Sequence, residues 1–287
     1  MQPSAVTAVR PHPLIPRKRK RRISAWKLSL YLVLACFSIY LLLPIALLVT
    51  GAFGEIWTNT LLPTGITGRW FAELAGNTSF RRAFGASLLV ALACCGAAAA
   101  TGVPLAYALH HGALAGRGTI SRIVTLLPVA VPALTLGFGY ITVFGSDTLP
   151  WLGSLPLLIA AHTVLTLPYL VQTLLSDLRH LDIAKLEMCA ATLGATPAQQ
   201  FFTIVLPNLR QSLFSGLVMV SALSIGEFQV SNLIAGFRYR NYPVVLLQAF
   251  YGATGMACAA TVVLLGLAVA ATLTSVNTVQ RMKQETP

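Results

Sequence analysis

Long apolar stretches separated by short polar segments set the pattern of this chain. Six stretches reach the ~20 residues that a helix needs to cross a hydrocarbon core. They lie near 28–52, 84–109, 121–144, 156–176, 212–235 and 254–277. The third is interrupted by Pro128 and Pro132 and the fourth by Pro168. Membrane helices accept such prolines when neighbouring helices satisfy the freed carbonyls. The second and sixth are rich in small residues, among them Gly96, Gly102, Gly252, Gly255 and Ala259. Small residues let backbones approach, so these two spans are expected inside the bundle. The pattern predicts an all-α, polytopic membrane protein with six transmembrane helices over 27–278. A basic tail precedes it at 1–26 and a short polar tail follows at 279–287.

The longest polar segment between spans, 177–211, has its own local structure. Asp182 is placed to cap a helix running through Leu193. Leu186, Cys189, Ala190 and Leu193 recur at i, i+3, i+4 and i+7 and form one narrow apolar face. Glu187, Ala190, Ala191 and Gly194 form the adjacent face, which apart from the acid is small enough for another protein to come close. Gly194 suits the left-handed position that closes a helix. Thr196-Pro197-Ala-Gln199 reads as a new start, with Thr at N-cap, Pro at N1 and Gln at N3. Ile204-Val-Leu-Pro207 ends that second helix before the fifth span. A helix, a glycine break and a second short helix over 182–207 make an elbow suited to docking, with no catalytic constellation.

Composition supports the membrane assignment. Apolar residues make up 56% of the 287 and charged residues only 10%, against about 25% charged in a soluble domain. The net charge of +12 sits at one end and in loops, so membrane orientation explains it better than nucleic-acid binding. The run Arg17-Lys-Arg-Lys-Arg-Arg22 is therefore read as a cytoplasmic anchor. With the N-terminus cytoplasmic, the inner segments hold fifteen Lys+Arg and the outer ones five. That bias puts both termini and 177–211 in the cytoplasm. The five cysteines form neither a CxxC nor a Cys/His cluster, which leaves no disulfide framework and no metal site. The glycine cluster at 112–119 lacks the G-x(4)-G-K-[ST] spacing of a phosphate loop. The chain thus carries no cofactor and is not an enzyme, and any ATP and magnesium chemistry belongs to a partner.

The 182–207 segment resembles the E-A-A-x(3)-G-x(9)-I-x-L-P signature of permease subunits in bacterial ABC importers, the MetI-like inner-membrane components. Ala190, Gly194, Ile204, Leu206 and Pro207 match in register. The same register puts Met188 where the family has its glutamate and Cys189 at the first alanine, with Glu187 one residue away, rotated about 100°. The resemblance covers nearly the whole chain after residue 27. It implies that Glu187, Ala190, Ala191, Gly194, Ile204, Leu206 and Pro207 form the segment that couples to an ABC ATPase. It also implies a second permease subunit, an extracytoplasmic solute-binding protein and a place in the bacterial inner membrane. The Gly226-Glu-Phe228 run and the Asn241-Tyr-Pro-Val-Val245 stretch look most like permeases for polyamines, ferric iron, thiamine or aminoethylphosphonate.

A carboxylate deep in a membrane costs about 2.5–3.5 kcal/mol on insertion scales, so Glu227 in the fifth span should face a cavity, a partner or water. It is a candidate for the translocation path, with Gln229 and Asn232 following on the same span. The rival role for Glu227 is a structural hydrogen-bond anchor. His162 in the fourth span is read first as a packed hydrogen-bonding residue and second as part of the path. Arg238 and Arg240 lie just outside. An ion-driven secondary transporter is the alternative to an importer subunit, and Glu227 is the one carboxylate that qualifies to bind its driving ion.

Overall fold

The computed structural model describes residues 25–57, 60, 62–112, 123 and 130–284. The chain divides into two compact units, Met1–Ala46 and Leu47–Pro287. The described part of the first is most of α1 (Ala25–Phe53), apolar along its length despite Pro44.

Among its described residues, the regular structure of the second unit is helical apart from one small hairpin. After α1 come β1 (Gly54–Ile56) and β2 (Thr64–Ile66), paired antiparallel with Gly54 opposite Ile66 and Ile56 opposite Thr64. The helices that follow are α2 (Arg69–Gly76), α3 (Thr78–His111), α4 (Ala133–Phe144) and α5 (Leu155–His180). The elbow holds α6 (Ile183–Thr192), α7 (Pro197–Gln200), a π-turn (Phe201–Val205) and α8 (Leu206–Asn208). The chain ends with α9 (Arg210–Gly226), α10 (Gln229–Ile234), a 3₁₀ turn (Phe237–Tyr239), α11 (Tyr242–Gly252) and α12 (Thr254–Gln284).

Three helices among the described residues, α1, α3 and α5, are long and apolar enough to cross a membrane alone. The elbow's second arm and α9 qualify together as a fourth, bent by 66°. The expected third span is seen over α4, while most of 121–129, Pro128 included, lies outside the described residues, as do 113–119 and the basic tail. The expected fifth span is not one helix. It breaks after Gly226, where Glu227 is extended at φ −71°, ψ 119°, and resumes as α10.

Two of the long helices, α3 and α5, start where a side chain satisfies free N–H groups, and α3 stops at a left-handed glycine. The Asn77 side chain accepts the Ser79 and Phe80 N–H groups at the head of α3, and Gly112, left-handed at φ 63°, closes it. Ser154 accepts Leu157 N–H at the head of α5.

The core lies where α3, α5 and α9 cross. Cys94, Ala98, Val103 and Ala106 of α3 meet Leu170, Leu174 and Leu178 of α5 and Val220 of α9. Between membrane helices, lipid is as apolar as leucine, so close packing at small residues supplies the attraction. Gly102 and Gly216 both face Leu170. A Cβ added at Gly216 would meet Leu170 Cδ1 at 2.5 Å. The start of α12 packs as its small residues predict, with Ala257, Cys258, Ala259 and Ala260 buried, whereas Leu265, Leu267 and Val269 are exposed. Tyr242 joins this region to α3 by donating twice: its N–H to Ser87 Oγ at 2.8 Å and its hydroxyl to the Ala260 carbonyl at 2.9 Å. The turn after α10 is held by backbone contact. Gly153 N–H donates to the Ile234 carbonyl at 3.1 Å, and a Cβ on Gly236 would lie 2.4 Å from the Gly153 carbonyl oxygen.

Candidate functional site: the elbow and a buried polar network

Two left-handed residues frame α6. Asp182 has φ 48° and Gly194 φ 85°. Contrary to the cap expected from its position, the Asp182 side chain bonds no backbone N–H of the helix. It pairs instead with Lys185 three residues on, and the bond holds the lysine amine above its ordinary range. Gly194 has open space where a Cβ would sit, so its glycine is required by backbone conformation alone. The second arm begins as expected: Thr196 Oγ1 accepts Gln199 N–H, and Gln199 Oε1 accepts Thr196 N–H, a reciprocal cap.

The elbow is riveted to the core by Ile183, Val205 and Leu209, all buried in the α3–α5–α9 cluster, with Phe201 and Leu206 packed against it. Ile204 is half-buried and Pro207 exposed. Leu206 N–H reaches back five residues to the Phe201 carbonyl, which makes the widened turn. Pro207 follows directly and has no N–H with which to tighten it.

The two faces of α6 do not divide as expected. Glu187 is 6% exposed and Ala190 half-buried, both turned toward the bundle, while Ala191 and Gly194 are exposed. Of the narrow apolar face, Leu186, Cys189 and Leu193 are exposed, Leu193 at 88%, and Met188 and Phe202 are exposed beside them. The reason is a polar clamp. Tyr107 donates its hydroxyl to Glu187 Oε1 at 2.7 Å, and His111 Nε2 lies 2.6 Å from Glu187 Oε2. The Tyr107 ring packs on Phe201 of the second arm at 5.0 Å. One carboxylate thus ties α6 to the end of α3, and one aromatic ring ties in the other arm. The glutamate does not face outward. Met188 occupies that outward position.

At the break between α9 and α10, Glu227 caps the new helix. Its carboxylate accepts Val230 N–H at 3.0 Å, Ser231 N–H at 2.9 Å and the Ser231 hydroxyl at 3.1 Å. His162, fully buried, joins α5 to both halves of the broken helix, with Nδ1 2.8 Å from Ser224 Oγ and Nε2 2.9 Å from Ser231 Oγ. Asn241 Nδ2 donates to Ser231 Oγ at 3.0 Å, while its buried Oδ1 has no partner among the described residues. Glu227 and His162 therefore belong to one internal network, 3.9 Å apart. Gln229 and Asn232 do not join it and are exposed on the other side of α10. Tyr107, His111, Ser224, Ser231 and Asn241 were not anticipated as site residues. For Tyr107 and His111, a tyrosine and a histidine four apart at the end of an apolar span were the available signal.

Known proteins resemble this chain over most of its length. Residues 98–284 match the family model described as "Binding-protein-dependent transport system inner membrane component". A molybdenum ABC transporter permease protein of Haloferax volcanii is 30% identical over 90% of this chain and 94% of its own. A 2-aminoethylphosphonate transport system permease protein of Salmonella typhimurium is 27% identical over 74% and 78%. The putrescine transport system permease protein of Escherichia coli is 26% identical over 79% and 80%. In fold, the chain matches the crystal structure of a bacterial ABC transporter involved in alginate import, with TM-score 0.64 over 94% of this chain and 99% of that one at 14% identity. Helices that pack as membrane spans, a glycine-broken elbow riveted to them and these matches lead to one conclusion: the chain belongs to the binding-protein-dependent inner-membrane components, the permease subunits of ABC importers.

Proposed function

We propose that this permease lines the path of a small polar solute through the bacterial inner membrane and that its elbow, 182–207, is the cytoplasmic surface gripped by a separate ABC ATPase. The observation that carries this is the outward stripe of Leu186, Met188, Leu193 and Phe202 on a helix pair fixed to the core. A lever must present a surface to what moves it and be rigidly joined to what it moves. Ile183, Val205 and Leu209 supply the join. The excess of Lys+Arg in the inner segments supports a cytoplasmic elbow and cytoplasmic termini, with the six spans of the sequence pattern. A second permease, two ATPases and an extracytoplasmic binding protein complete the machine. The two conformations must differ in ATPase contact and in which side the path opens to.

Relatives named for aminoethylphosphonate, putrescine, molybdenum and sulfate support a small solute as cargo. An ion-driven mechanism finds no support at Glu227, whose carboxylate already accepts three hydrogen bonds. The test is the hinge. Gly194→Val forces a β-branched residue toward φ 85°, where L-residues lose roughly 1–2 kcal/mol. In vesicles holding the chain with its native partners, the variant is expected to insert and to bind nucleotide while ATP hydrolysis no longer drives uptake. Normal ATP-driven uptake by Gly194→Val would overturn the docking reading, as would purification from the native host with no nucleotide-hydrolysing companion.

A further inference from the structure

Near the start of α3, its first turns and the 3₁₀ turn line an open hollow of about 490 Å³. Its polar wall is Arg82, Arg238 and Tyr239, and its floor is Gly85, Ala86 and Leu89. A narrower cleft beside it shares Arg82 and Arg238 and adds Ser79, Arg240 and Gln248. From Arg82 to Tyr107, α3 runs 25 residues, about 37 Å at the helical rise, which exceeds the ~30 Å of hydrocarbon in a bilayer. The cavity and the elbow clamp therefore lie at opposite ends of one spanning helix.

The chemistry of this wall is one-sided. Among the described residues, no carboxylate lines either hollow. None of the ion pairs among the described residues involves Arg82, Arg238 or Arg240. Arg240 rests over the Phe237 ring at 4.8 Å, which places a third guanidinium behind the first two. Unbalanced positive charge in a concave site focuses anions, and the guanidinium fork matches a planar pair of oxygens on a carboxylate or phosphoryl group. Ser79, Gln248 and Tyr239 bring neutral hydrogen-bonding groups for the remaining oxygens. Gly85 adds no side chain to the floor, and nothing lies within 4 Å of where its Cβ would stand.

We propose that Arg82 and Arg238, backed by Arg240, form a binding site for a tetrahedral oxyanion group such as phosphate, phosphonate or sulfate at the end of the bundle away from the elbow. Two sources offer that group: a solute approaching the path, or the headgroup of an anionic lipid at the membrane face. A diamine has no counter-charge here, so the site sets an oxyanion cargo against a cationic one. Calling the oxyanion a cargo rests on the permease reading above, whereas the binding itself does not.

The test uses the full chain in phosphatidylcholine nanodiscs, with no ATPase present, so its failure is separate from any failure of the coupling model. Calorimetric titration with methylphosphonate, inorganic phosphate and sulfate, each against chloride at matched ionic strength, is expected to show saturable binding of at least one oxyanion. Arg82→Gln and Arg238→Gln should each weaken it tenfold or more. Gly85→Leu, which keeps every charge and fills the floor, should abolish it. In nanodiscs containing phosphatidylglycerol, native mass spectrometry reads the lipid source. One retained phosphatidylglycerol, lost in the Arg82→Gln Arg238→Gln double variant, with no soluble oxyanion bound, assigns the site to lipid. Equal binding of chloride, or oxyanion binding unchanged in the double variant, overturns the proposal. Binding of neither oxyanion nor lipid also overturns it and leaves the arginines to an acidic surface of a delivering protein.

Discussion

The clamp on Glu187 makes the most direct prediction, because its parts can be removed one at a time. A hydrogen bond to a charged group contributes about 1.5–3 kcal/mol. The Tyr107 bond meets a carboxylate that is 8% exposed, whereas the His111 side chain is 34% exposed, and solvent weakens exposed partners. We take about 2 kcal/mol for Tyr107 and about 1 kcal/mol for His111. Hydrogen exchange of the α6 amides reads the local opening of the elbow when reclosing is fast. At 1.4 kcal/mol per decade, Tyr107→Phe should lower protection over 183–192 about 30-fold and Glu187→Ala about a hundredfold. Tyr107→Phe should do little more on the Glu187→Ala background, since both remove the same bond. Protection at the centre of α5 should not change. Lys185→Met, which breaks only an exposed pair, is the control and should leave exchange as it was. Unchanged protection in Glu187→Ala, or additive effects of the two substitutions, would refute the clamp.

Further outcomes follow from the packing and the buried network. Gly236→Ala drives a methyl against the Gly153 carbonyl oxygen at 2.4 Å and should cost about 1–3 kcal/mol, read as a lower unfolding temperature in detergent; a milder loss is expected for Gly216→Ala, whose clash is with the side chain of Leu170. His162→Phe should destabilise the chain by about 1–2 kcal/mol, since Ser224 loses its partner and Ser231 one of its partners while membrane hydrogen bonds average below 1 kcal/mol each; an unchanged unfolding temperature would count against the network. Glu227→Gln replaces one of two accepting oxygens with a donor, which faces either the Val230 N–H or the Ser231 N–H, and should loosen the α10 cap, measured as faster exchange at 230–234, with stability lowered by about 1–3 kcal/mol.

Much of the architecture could be read from the residues because lipid imposes simple rules. A run of twenty apolar residues has few alternatives to a helix, and α1, α3 and α5 fall where the pattern places them. The elbow's hinge was legible too, since Gly194 and the Thr196-Pro197-Gln199 start each encode a local backbone state. The direction of α6 was not. Periodicity assigns apolar residues to the inside, yet here a glutamate is buried against Tyr107, eighty residues away, and the leucines face out. The break at Glu227 was hidden for a similar reason. The residue announces a polar requirement, but the network that meets it runs through Ser231 to His162 and Asn241 on other elements. The three-residue strands of the hairpin carry too little pattern to stand out between two helices.

The π-turn over Phe201–Val205 has a geometric consequence. Such a turn holds one residue more than a turn of α-helix. The extra residue offsets the phase of what precedes it by about 100° relative to an unbroken helix. With that offset Phe202 stands outward on the second arm while Val205 and Leu209 are seated in the core.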